Sequence, residues 1–224
     1  MNKPIFKNVI IVLGVAVLLA WSLLPIYWTL ASSITPSTDF TLRPINLYPA
    51  HPTSDHYLRL LGILDGHFGG ADVAGQFRVA LLNSIITSSL ATVICVVMSL
   101  LGAYAFTRLD FPFRTPIFYA VIATMAIPGY AVIIPLFRIM VALHQMDSYF
   151  GVTMIYVSAF LPLCLWLLKG VFDTLPISLE EAARMDGASH MKILTAIIIP
   201  IASPGIAAAA ILTFLGAWAF MRFH

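Results

Sequence analysis

Charged side chains are scarce in this sequence. Asp, Glu, Lys and Arg together make up 10% of the 224 residues, against about 25% in an ordinary soluble domain. So few charges cannot cover a surface that faces water. Mean hydropathy is +0.95 and 60% of the residues are hydrophobic. Lipid is the solvent that fits such a chain, and a helix that spans it needs about 20 consecutive apolar residues. Cysteine is nearly missing too. Cys95 and Cys164 both lie inside apolar runs, which excludes a disulfide framework and leaves them as small buried hydrophobes. A formal net charge of +2 gives no basis for binding nucleic acid.

Other absences narrow the function. No Asp or Glu falls within an apolar run away from its ends. Ion-coupled carriers usually keep an ionisable group in the membrane to bind and release the coupling ion, so a secondary carrier is the weaker alternative. No filter-like glycine run suggests a channel. The phosphate-binding pattern G-x-x-x-x-G-K-[ST] is missing as well, since Lys169-Gly170 has the reverse order. Any ATP and Mg this protein depends on must therefore be bound by another chain. No nucleophile stands beside a base, and span residues such as Ser88, Thr92 and Tyr104 read as helix-packing groups. The chain is expected to be a non-catalytic membrane subunit with no cofactor and no metal of its own. His51, His56 and His67 share one loop, but their spacing fits no compact metal motif.

Five apolar runs are present: about 9–30, 79–106, 116–141, 150–168 and 193–220. The first is preceded by Lys3 and Lys7, like a signal peptide. It is too long for one and is followed by more spans, so it reads as a retained helix. The prediction is an all-α polytopic bundle of about five transmembrane helices. Residues 1–8 form the N-terminus, 9–220 the transmembrane domain and 221–224 the end of the chain. Two polar stretches interrupt the domain. Residues 31–77 form a large loop with Asp39, Asp55, Asp65 and Asp72, and residues 169–192 form a shorter one.

Charge bias orients the chain. Lys3, Lys7, Arg108, Arg114, Lys169, Arg184 and Lys192 fall on one side; Arg43, Arg59, Arg78, Arg138 and Arg222 fall on the other. The positive-inside rule then predicts a cytoplasmic N-terminus, an outer loop at 31–77 and a cytoplasmic loop at 169–192.

That cytoplasmic loop contains a short helix written in local signals. Ser178 is a good N-cap and Glu181 follows three residues later, the spacing of a capping box. Glu180 and Glu181 suit the positive end of the helix dipole. Gly187 can take the left-handed conformation that stops a helix. A helix over Leu179–Asp186 is predicted, too short to be stable without packing. Ala182 and Ala183 offer a close-approach face, with Leu179 and Met185 adding apolar contact. On pattern alone, a helix lying on the membrane surface is equally consistent.

The same stretch reads E-A-A, three residues, G, nine residues, then I-x-I-P: Glu181-Ala182-Ala183, Gly187, Ile197, Ile199 and Pro200. It resembles the signature loop of permease subunits in binding-protein-dependent ABC importers, with Ile199 where Leu is usual. Further stretches resemble the second maltose-type permease of the carbohydrate branch: Asn83-Ser84, Tyr104-Ala105-Phe106 with Arg108, Phe111 and Arg114, then Pro128, Pro135-Leu136-Phe137, Phe172, Leu175-Pro176, Asp186-Gly187-Ala188, Phe214 and Trp218. The resemblance covers most of residues 8 to 218. It implies a bacterial or archaeal inner-membrane protein that imports a sugar or oligosaccharide. It further implies a second permease, cytoplasmic ATPase subunits and an external solute-binding protein as partners. Glu181, Ala182, Ala183, Arg184, Asp186 and Gly187 would form the coupling helix that docks on the ATPase. The family core has six spans, so the five counted here imply a C-terminally shortened permease, and a non-functional one is a further alternative.

Overall fold

In the computed structural model, residues 3–41, 48–65, 67–68 and 71–220 are described. Arg43, the 221–224 end and Arg222 lie outside them. The fold is a helical membrane bundle. Among the described residues the elements are α1 (Lys3–Ser33), α2 (Asp55–Leu60), β1 (His67–Phe68), β2 (Ala71–Asp72), α3 (Val73–Arg108), α4 (Arg114–Ala123), α5 (Gly129–Ala142), α6 (Tyr149–Asp173), α7 (Ser178–Met185), α8 (His190–Ile193) and α9 (Ile199–Phe220). Two compact units divide the chain, residues 1–79 and 80–224.

The first unit holds α1 and the large loop. Helix α2 is tied to the end of α1 by three bonds. His56 Nε2 meets the Thr35 carbonyl at 2.9 Å, Tyr57 Oη donates to Ser33 Oγ at 2.7 Å and Thr53 N donates to Ile34 O at 2.8 Å. A two-residue antiparallel ladder, His67 opposite Asp72 and Phe68 opposite Ala71, precedes α3. This small pairing was not expected in an all-α chain.

The second unit is organised on α6 and α9. Along α6 the buried positions include Tyr156, Cys164, Leu168 and Phe172, spaced in fours and eights so that they line one helical stripe. Facing them, α9 buries Ala202, Ala209, Thr213 and Ala217. Small residues let membrane helices approach closely where lipid offers no hydrophobic drive for association. Gly205 and Gly216 show how close. A Cβ at Gly205 would lie 2.6 Å from Val171 Cγ2, and one at Gly216 would lie 2.6 Å from Phe160. Cys95 and Cys164 are both fully buried in the same core.

Among the described residues, four helices are long and apolar enough to cross a membrane: 7–33, 73–108, 149–173 and 190–220. The span predicted over 116–141 is not one continuous helix. It is α4, a 3-10 turn at Thr124–Ala126, an extended step through Ile127 and Pro128 with ψ 122° and 124°, and then α5. Pro128 has no N–H to donate, and its ring drives Ile127 out of the helical region. Pro135 lies within α5 without breaking it. Ahead of α9 the chain makes a π turn over Leu194–Ile198. Pro200 cannot donate to the carbonyl four residues back, and the wider turn takes up that missing rung.

Candidate functional site

The 169–192 loop folds against the last turn of α3. Helix α7 runs from Ser178 to Met185, one residue earlier at each end than predicted. The capping box is not formed. Ile177 is the N-cap residue, with helical dihedrals (φ −63°, ψ −29°) and no side-chain cap bond. Its carbonyl accepts from Glu180 N at 2.9 Å and Glu181 N at 3.1 Å, while Leu179 N reaches Pro176 O at 3.4 Å. The chain thus enters α7 through a turn begun at Pro176. Ser178 is already inside the helix, where its hydroxyl cannot reach forward to the N–H groups that a cap serves.

The C-terminus behaves as its sequence predicts. Gly187 has φ +81°. Gly187 N bonds Arg184 O at 2.9 Å and Ala188 N bonds Ala183 O at 3.0 Å. These are the two bonds of a Schellman motif.

The two faces of α7 differ sharply. Glu181, Ala182, Arg184, Met185, Asp186 and Gly187 are exposed, and Met185 is 89% exposed. Ala183 is half-buried and packs on the core, with Ala188 beside it. Glu180 is buried. Five of the six predicted site residues therefore share an open surface, while Ala183 faces inward with Glu180.

Glu180 is buried because Arg108 meets it. Arg108 Nε donates to Glu180 Oε1, and the two side chains are 7% and 1% exposed. Arg108 Nη2 also donates to the carbonyls of Phe172 and Leu175, each at 3.1 Å. These carbonyls belong to the end of α6 and the turn after it, where helix geometry leaves acceptors without intrahelical donors. One guanidinium thus joins the end of α3, the end of α6 and the start of α7. Burying such charges is tolerable only with hydrogen bonds of this kind. Glu180 Oε2 has no hydrogen-bond partner among the described residues.

One turn back along α3, Tyr104 Oη lies 3.0 Å from His190 Nδ1 at the start of α8. The rings meet edge to face at 6.1 Å between centroids. Ser189 caps α8, its hydroxyl accepting from Lys192 N at 3.3 Å. Tyr104 and Arg108 are four residues apart on one face of α3 and hold the two ends of the loop.

Sequence reasoning passed over Arg108, Glu180, Tyr104 and His190 as members of this site. One signal for Glu180 was available. Glu180 and Ala183 fall at i and i+3, neighbours on one helix face, so an apolar-facing Ala183 carries Glu180 inward with it.

Comparison with known proteins agrees with this architecture. Residues 96–221 match the family described as "binding-protein-dependent transport system inner membrane component". The sulfoquinovosyl glycerol transport system permease protein of Agrobacterium fabrum is 31% identical over 206 residues, covering 92% of this chain and 68% of the relative. The trehalose transport system permease protein of Mycobacterium tuberculosis is 35% identical over 198 residues, covering 88% and 68%. The trehalose/maltose transport system permease protein of Thermococcus litoralis is 32% identical over 218 residues, covering 97% and 74%. In fold, the chain superposes on a chain of a bacterial ABC transporter involved in the import of the acidic polysaccharide alginate. The TM-score is 0.78 at 24% identity, over 97% of this chain and 72% of that one.

Proposed function

The chain belongs to the family of inner membrane components of binding-protein-dependent transport systems, a multi-pass membrane protein, and on that premise we propose that it is a sugar-importing permease subunit driven by a separate ATPase. Helix α7 is its coupling helix. The observation that carries this reading is the division of α7 into a buried face fastened to the bundle and an open face presenting Glu181, Ala182, Arg184, Met185 and Asp186. A helix this short is unstable alone, yet it is fastened to the bundle on one side with the other free, as docking requires. Met185 is a large apolar side chain almost wholly exposed, suited to a socket on a partner.

The positive-inside bias supports a cytoplasmic position for this face and for the N-terminus. ATP and Mg are bound by the ATPase subunits. A second permease completes the translocation path, and an external binding protein delivers the solute. Trehalose, trehalose/maltose and sulfoquinovosyl glycerol in the relatives' names share a polyhydroxylated glycoside, the substrate class proposed here.

The test is a mild-detergent pull-down of the tagged chain from its native membranes. Co-purification of an ATPase and a second permease, together with ATP-dependent sugar uptake after reconstitution, is the expected result. Well-inserted protein recovered with neither would overturn the reading.

A further inference from the structure

The last turn of α3 touches both ends of the coupling loop and nothing assigns it a role. Arg108 grips the entry to α7 through Glu180. Tyr104 grips the exit through His190. The same Arg108 holds the end of α6 through two backbone carbonyls. The arrangement is a two-point clasp. Point contacts on one helix face fix position, and two of them also fix orientation. A loop held by Glu180 alone could pivot about that pair. Held at His190 as well, it cannot turn without turning α3.

Resting on the coupling role proposed above, we infer that α3 is the element that receives the stroke of α7, and that Arg108 and Tyr104 are the positioning residues that transmit it. Arginine suits the task better than lysine. Its planar fork serves a carboxylate and two carbonyls at once, whereas a lysine ammonium is a single flexible point charge. Buried pairs contribute little to net stability but fix geometry well in several systems. A force-bearing joint needs fixed geometry above all.

Two measurements on the purified complex test this. The first is hydrogen exchange of the backbone amides from Ser178 to Gly187. In Arg108→Gln, and more weakly in Tyr104→Phe, these amides should exchange at least about tenfold faster than in the native chain, because the loop gains freedom to pivot. The second is sugar imported per ATP hydrolysed in proteoliposomes. That ratio should fall at least about tenfold in Arg108→Gln, by less in Arg108→Lys, and should recover in part in the double variant Arg108→Glu with Glu180→Arg. A merely structural role would lower import and hydrolysis together as assembled complex is lost, leaving the ratio unmoved. An unchanged exchange rate in Arg108→Gln overturns the clasp. Faster exchange with an unchanged ratio overturns the transmitting role. If the native complex shows no ATP-dependent uptake at all, the importer reading fails and takes the transmitting role with it, while exchange still decides whether the clasp holds.

Discussion

The interior of the α6–α9 pair and the 169–192 loop of the same unit are held by opposite means. Between α6 and α9 the described contact is close apolar packing, with Phe220 set edge to face against Tyr156 and Phe160. Ala202, Ala209 and Ala217, with Gly205 and Gly216, let α6 come close enough for dispersion to act along the whole seam. At the loop, polar and directional contacts are added to the packing of Ala183 and Ala188: Arg108 to Glu180, Arg108 to two carbonyls, Tyr104 to His190. Packing spread over a long seam tolerates small slips. A charged bond across a buried gap does not, because either partner alone is left unpaired in a low dielectric. The molecule thus puts its forgiving contacts where lipid surrounds it and its exacting ones where it would meet a motor.

The contrast can be broken most sharply at Glu180. Glu180→Ala leaves Arg108 buried without its carboxylate, and the loss of one member of a buried pair costs about 3–5 kcal/mol. Urea or thermal unfolding of the purified chain, followed by protease cleavage of the 176–190 loop, should show the loop released well before the bundle melts. Simultaneous melting would mean that the two regions are one cooperative unit.

Next in size is the seam. Gly205→Leu forces a side chain into Val171, and overpacking of this kind costs about 1–3 kcal/mol. The midpoint of denaturation should fall while loop exchange rates at 178–187 stay native. Altered loop exchange would show that the seam and the clasp are coupled.

Gly187 gives a smaller effect with a purer cause. No atom lies within 4 Å of a Cβ built there, yet φ is +81°, so Gly187→Val meets backbone strain and no clash. The left-handed conformation costs a side chain about 1–2 kcal/mol. The yield of co-purified ATPase should drop with membrane insertion intact; an unchanged yield and unchanged uptake would remove Gly187 from the coupling surface.

The smallest effect on stability is expected at Met185. An exposed substitution such as Met185→Ser should shift the unfolding midpoint by less than about 0.5 kcal/mol while weakening ATPase recovery. A native level of recovery would place the docking face elsewhere on the loop.

Much of this was legible in the sequence. Long apolar runs define α1, α3, α6 and α9 because composition decides which segments leave water. Gly187 announced the end of α7, since its local bonds need no distant partner. The break at Pro128 was visible as a proline but not as a break, because tolerance of a membrane proline depends on neighbours. The choice between Glu180 and Glu181 was harder. Both suit a helix start, and a capping box appeared to use Glu181. What settles it is Arg108, seventy-two residues earlier in the chain, which local pattern cannot place. Pro176 decided the matter against Ser178 by starting the turn early.

The π turn at Leu194–Ile198 has a consequence for timing between the two ends of one long helix. Leu194, Ile198 and Ala202 are buried at steps of four. In a plain α-helix such steps creep around the axis, since a turn holds 3.6 residues. The wider turn absorbs the creep, so the seam against α6 keeps its phase down to α8. Deleting Ala196 would restore an ordinary helix and leave every packing residue of α9 in place. With Ala196 kept and the turn drawn in to an ordinary helix, everything ahead of it would instead rotate by about 100°, carrying His190 away from Tyr104. The helix would stay as apolar as before and would still cross the bilayer, but its two ends would be out of step.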